Sequence, residues 1–186
     1  MNVLYEIVDL VKLLAFQVGA EVSFSELGTT LGMSKDTVVS YIDLLEKSFI
    51  VFRLQAFSRN LRSEISRSSK IYFYDNGIRN AAIGDYRPFA ERQDRGALWE
   101  NFIISERRKR TTSLGAAASS YFWRLTSGAE IDYVEDLNGQ VSGWEIKLSP
   151  GAKANPPKRW NEAYPGASWA KVDRSNYLEF VAADRT

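Results

Sequence analysis

Residues 128–148 read GAEIDYVEDLNGQVSGWEIKL, and this stretch decides the architecture. Asn138-Gly139 is the dipeptide that a two-residue β-hairpin turn prefers, since both of its positions need a positive φ. The flanks, residues 130–136 and 141–148, are predicted strands, and Ser127-Gly128 marks a second turn back to a strand over 120–125. Strand residues two apart share a face. Glu145 and Lys147 therefore point together, while Trp144, Ile146 and Leu148 point the other way. Across the turn, Asp132 comes near Glu145. An acid and a base side by side on a sheet form either a reactive site or a structural ion pair.

Upstream of this meander, residues 96–110 carry Leu98, Phe102 and Ile103 at helical spacing, with Glu100 early in the helix. Residues 156–164 are a predicted helix, 169–172 a strand, and 177–181 an apolar tail. Toward the N-terminus the pattern changes. Residues 3–18 are an amphipathic helix, and 24–31 a short second helix closed by Gly32. Ser34 is a good N-cap for a third helix bearing Val38, Tyr41, Ile42 and Leu45. The β-rich runs 49–54 and 70–74 follow, separated by a polar Ser/Arg-rich loop. Three helices and a two-stranded ribbon are winged-helix architecture. A short helix after Asp75-Asn76-Gly77 and a polar linker over 84–95 complete the first half. The expected organisation is a winged helix over 1–85 and a second domain over 86–186.

Composition narrows the chemistry. The 186 residues are 45% hydrophobic and 13% aromatic, which is a folded globular composition with room for one good core or two small ones. No apolar run reaches the length of a membrane span, and the start lacks a basic-then-apolar leader, so the expectation is a cytoplasmic protein with no membrane partner. With no cysteine and no histidine there is no thiolate metal site, no histidine-ligated zinc, no Ser-His-Asp triad and no imidazole base. Any metal must be a hard ion held by carboxylates. No phosphate-binding Gly-rich loop with its lysine is present, so the chain alone is not expected to hydrolyse ATP.

A winged helix suggests DNA, but its charge disagrees. Residues 1–57 hold Lys12, Lys35, Lys47 and Arg53 against seven acids, a formal −3. The third helix, where DNA recognition would reside, has two lysines against three acids. Packing against protein fits that balance better. The following loop is the exception, with Arg59, Arg62, Arg67 and Lys70 against Glu64 alone; it reads either as a DNA-touching wing or as a solvated loop.

The quartet Glu100, Asp132, Glu145 and Lys147 has the same two-sided reading. Three carboxylates suit octahedral Mg²⁺ (or Mn²⁺), and a lysine beside them suits orientation of water or stabilisation of a developing charge. The plainer reading is a solvent-facing Glu-Lys pair and an acid near a helix N-terminus. Arg107 to Arg110 reads as cations suited to a helix C-terminus, and Glu130 as a further acid or the partner of Arg124. Lys153, Lys158 and Arg159 either border a nucleic-acid groove or form a solvated face. Trp123 and Trp144 read as core.

Five segments occur in order: residues 70–78 (KIYFYDNGI), 96–103 (GALWENFI), 121–124 (YFWR), 128–133 (GAEIDY) and 145–147 (EIK). Together they resemble the C-terminal region of bacterial and archaeal AAA-type ATPases, a winged helix followed by a domain of unknown function. The resemblance covers about residues 5–182. It implies an α/β (α+β) fold in which the winged helix leads into a restriction-endonuclease-like mixed sheet flanked by helices, the PD-(D/E)xK fold. It implies that Asp132, Glu145 and Lys147 are the nuclease core, with Glu100 the helical acid that joins it. DNA and an ATPase module, which this chain lacks, are the implied partners. The implied activity is Mg²⁺-dependent DNA cleavage; a non-catalytic interaction module on a vestigial nuclease fold is the alternative.

Overall fold

A computed structural model describes residues 3–59, 68–113 and 119–182. The loop cations Arg62 and Arg67, with Glu64, lie outside the described residues. The fold is mixed α/β, with seven α-helices and seven strands among the described residues. The chain divides into two compact units, one of residues 1–53 and 68–102, the other of 54–67 and 103–186.

The first unit opens with α1, Val3–Phe16, which buries Leu10, Leu14 and Ala15. Helix α2, Phe24–Leu31, starts where Ser23 Oγ accepts the Glu26 N–H, and stops at Gly32, whose φ of 66° a side chain would resist. Helix α3, Lys35–Lys47, is capped by Ser34 on the Thr37 N–H and turns Val38, Ile42 and Leu45 inward. Strand β1, Glu21–Val22, pairs antiparallel with β3, Ser69–Phe73. Two residues are too few to show a period, so the sequence did not reveal β1. Strand β2, Val51–Ala56, is the other neighbour of β3, giving the order β1-β3-β2. This is winged-helix connectivity.

Helix α4, Asn76–Ile83, follows, capped by Asp75. Its Arg79 is buried: Nε donates to the Ala15 carbonyl at 2.8 Å and Nη1 to Asp94 at 2.5 Å. The stretch expected as a polar linker is therefore structured. Arg92, 3% exposed, donates to both oxygens of Asp94 at 2.9 and 2.8 Å and to the Asp85 carbonyl at 2.6 Å. Buried guanidinium groups are tolerated only when paired in this way.

In the second unit the end of β2 pairs parallel with β4, Ser119–Arg124. Strands β5, Glu130–Leu137, and β6, Gln140–Ile146, continue as an antiparallel meander, and β7, Ser168–Val172, adds parallel to β6. Both residues of the β5–β6 turn have positive φ, 52° at Asn138 and 91° at Gly139, as the turn dipeptide requires. Helix α5, Arg95–Ser113, contributes residues 103–113 here, and α6, Lys158–Ala163, and α7, Tyr177–Ala182, complete the unit. The apolar tail is thus a helix.

The core on one side of this sheet contains Phe57, Trp123, Leu125, Ile131, Val134, Val141, Trp160 and Tyr164. Burying each such side chain contributes roughly 1.5–3 kcal/mol before entropy is counted. Trp123 belongs to this core, as expected, and is fully buried. Trp144 packs on the other side against Tyr133 and Phe180, with ring centroids 6.0 and 5.2 Å away.

Candidate functional site

The β4–β5 ladder contains an irregularity that shapes the site. Tyr121 pairs with Val134 and Trp123 with Ile131, so the single residue Phe122 faces both Asp132 and Tyr133. That two-against-one register is a β-bulge, a feature that re-aims side chains out of strict alternation. On the opposite side of β5, the ladder to β6 runs in regular register as far as Tyr133 and Trp144. Beyond that pair the Asp132 side chain takes over. Its Oδ2 accepts the Ile146 backbone N–H at 2.7 Å. Asp132 is 8% exposed, and a buried carboxylate must be met by donors of this kind.

Ile146 lies between Glu145 and Lys147, so this bond ties Asp132 to the backbone that carries both. Glu145 and Lys147 share a face as their spacing predicts, with Lys147 Nζ 2.5 Å from Glu145 Oε1. The Lys147 N–H donates to the Val172 carbonyl at 2.9 Å, which anchors the segment to β7 beyond the end of β6. The structure therefore bonds the buried Asp132 to the segment that carries the Glu145–Lys147 ion pair, all three residues lying in the second unit.

Glu100 is counted with the first unit. There its Oε1 accepts the Tyr72 hydroxyl at 2.7 Å and lies 4.0 Å from Lys70 Nζ, whose residue is 3% exposed. Gly19, at φ 76°, packs against the same carboxylate, and a Cβ there would lie 3.1 Å from Oε1. Among the described residues no three acidic side chains are grouped so that one metal ion could be held by all of them. Two carboxylates do suit Mg²⁺, which keeps much of its water and shares its coordination with substrate phosphates.

Arg107 departs from the expectation. Read as one of four cations at a helix end, it is instead buried in the second unit, with Nε 2.7 Å from Glu135 Oε1 and Nη2 2.9 Å from Oε2. Its Nη1 donates to the Phe180 carbonyl at 2.7 Å, and its guanidinium lies over the Phe180 and Trp144 rings at 4.9 and 5.8 Å. Burial lowers its pKa, but the Glu135 bonds more than offset this, leaving it above its ordinary value. Burial, then the Glu135 charge, pushes the nearby Tyr133 hydroxyl far above its usual range. The signal in the sequence was Glu135 itself, an acid within an apolar strand that needs a buried cation.

Several of the other candidate cations have partners within their own unit. Arg59 pairs with Asp136 and covers the Phe57 ring, Lys158 and Arg159 face Glu162 on their own helix, and Lys109 meets Glu106. Arg124 lies 3.8 Å from Glu130, the partner reading of that acid. Lys171, which the sequence did not single out, donates to the Pro150 and Ala152 carbonyls at 2.6 and 3.2 Å.

Comparison with known proteins divides the chain in two. Residues 4–87 match a family described as Domain of unknown function (DUF8612), and residues 95–176 match Domain of unknown function (DUF4143). Uncharacterized proteins of Mycobacterium bovis and Mycobacterium tuberculosis are each 33% identical over 137 residues, which is 73% of this chain and 30% of theirs. An uncharacterized protein of Haemophilus influenzae is 30% identical over 81 residues, 41% of this chain and 20% of its own. The chain thus spans less than a third of the mycobacterial relatives it matches. No solved structure matches it. No helix among the described residues is long and apolar enough to cross a membrane. The chain is similar, in succession, to two families of unknown function.

Proposed function

We propose that this chain is the accessory region of an AAA-type ATPase, and that its second unit is a restriction-endonuclease-like module that engages DNA and hydrolyses phosphodiesters with Mg²⁺ or Mn²⁺. The observation that carries the reading is the Asp132–Ile146 hydrogen bond at 2.7 Å, which ties a buried acid to the backbone between Glu145 and Lys147. The five ordered motifs, the match of residues 95–176 and the greater length of the relatives support it. Bound metal would polarise the phosphate and activate a water molecule. Asp132 and Glu145 would hold it. Lys147 orients the attacking water or balances the charge that develops on phosphate. The Ile146 N–H fixes the Asp132 carboxylate, so little reorganisation is needed when substrate arrives.

A second reading has its own support. Helix α3 carries more acids than lysines, and the Lys147 amine already lies 2.5 Å from Glu145. Both features suit a non-catalytic module that docks protein on an inherited scaffold. Cleavage of plasmid and linear DNA with Mg²⁺ or Mn²⁺, using wild type, Asp132→Ala and Lys147→Ala, separates the readings. The nuclease reading requires metal-dependent cutting that both variants lose. Equal background cutting by all three proteins would sink it.

A further inference from the structure

Helix α1 is apolar on more than the face it buries. Leu10, Leu14 and Ala15 point into the first unit, yet Tyr5 and Phe16 are each 68% exposed and Val8 is 42% exposed. At about 100° per residue these three fall, together with Asp9 and Lys12, within about 100° of the helix circumference. A helix that is apolar on two sides is built to be covered on both. Asp9 and Lys12, paired at 3.2 Å with side chains 56% and 49% exposed, sit in the middle of the uncovered stripe.

The order of residues along the stripe identifies what covers it. An antiparallel pairing of two α1 helices about a two-fold axis between Leu10 and Val11 sets Tyr5 against Phe16 of the second copy. The same operation sets Asp9 against Lys12 of the second copy, and both contacts occur twice. A self-complementary patch of this kind, aromatic at both ends and of opposite charge at its centre, is what a two-fold interface requires. We infer that the α1 stripe is a homodimer interface and that a second copy of this chain is its occupant. One helix face is small for an interface, so the dimer is expected to be weak and concentration-dependent.

Sedimentation of the full 186-residue chain across a concentration series tests this, since a dimer doubles the 21.1 kDa chain mass. Phe16→Glu should give monomer. Asp9→Lys and Lys12→Asp each place like charges opposite one another and should weaken the dimer about tenfold or more. The double variant Asp9→Lys/Lys12→Asp restores opposite charges across the axis and should recover it. Circular dichroism confirms that each variant is folded. A wild type that stays monomeric up to about 1 mM overturns the inference and leaves the stripe to another partner. A dimer that ignores both single charge reversals, or that the double variant fails to restore, overturns it equally.

Discussion

Arg107 and Glu135 form a buried two-point ion pair, Nε to Oε1 at 2.7 Å and Nη2 to Oε2 at 2.9 Å, between helix α5 and strand β5. Glu135 is fully buried and Arg107 is 5% exposed. Removing one partner strands the other charge away from water, which costs roughly 3–5 kcal/mol. Arg107→Ala and Glu135→Ala should each lower the unfolding free energy by that amount, read as a fall in the urea midpoint. The double variant should be less destabilised than the sum of the two, because it leaves no unpaired charge. Additive losses in the cycle would show that the pair contributes no coupling.

The Asp132–Ile146 bond gives a prediction that separates folding from chemistry. Asp132→Ala leaves the Ile146 N–H without its acceptor, at a cost of about 1–3 kcal/mol. Asp132→Asn keeps an oxygen that can accept the same bond, so its urea midpoint should stay near wild type. The amide has no charge to hold a divalent ion. Any metal-dependent cutting or Mn²⁺ binding at this position should be lost in Asn and Ala alike, while stability drops only in Ala.

The elements were largely legible in the sequence because each is announced locally. Ser34 caps α3, Gly32 closes α2, and Asn138-Gly139 turns β5 into β6. The shared face of Glu145 and Lys147 follows from spacing alone. What sequence could not give depends on pairing across distance. The bulge at Asp132 and Tyr133 exists only in the register with β4, and no local signal marks it. Arg107 resembled its basic neighbours because its partner lies 28 residues on. The stretch 84–95 looked like linker for a similar reason, since the buried Arg79 and Arg92 that order Asp94 are polar in any window average.

That arginine cluster predicts an acid sensitivity. Hydrogen bonding from Arg92, opposed by burial and reinforced by Arg79, lowers the Asp94 pKa to about 2. Lys171 and Ser175 likewise hold Asp173 at about 2. Unfolded aspartate titrates near about 3.9. Between these values the unfolded chain binds more protons, so stability rises with pH across the window. The contribution is complete above about pH 4 and is lost as pH falls toward about 2. Thermal melts should show a midpoint that drops over this range. Asp94→Asn should melt lower at neutral pH and show a shallower acid slope.

Gly143 in strand β6 yields a packing prediction. It faces the core beside Trp160, and a Cβ there would lie 3.2 Å from Trp160 Cζ2 and 3.2 and 3.3 Å from Ile131 Cγ2 and Cδ1. Trp160 and Ile131 are both fully buried, so neither can swing into solvent to make room. Strand β6 cannot retreat either, since Gly143 is paired with Val134 on one side and Trp169 on the other. Gly143→Ala should therefore cost roughly 1–3 kcal/mol by overpacking, despite the better strand propensity of alanine. Because Glu145 follows on the same strand and Lys147 lies just beyond its end, the shift should also disturb the candidate site. Trp160→Phe removes the crowding ring edge. If the contact with Trp160 is the cause, the double variant should be less destabilised than the two singles summed, as measured by urea unfolding. Strictly additive losses would place the strain elsewhere in the hairpin.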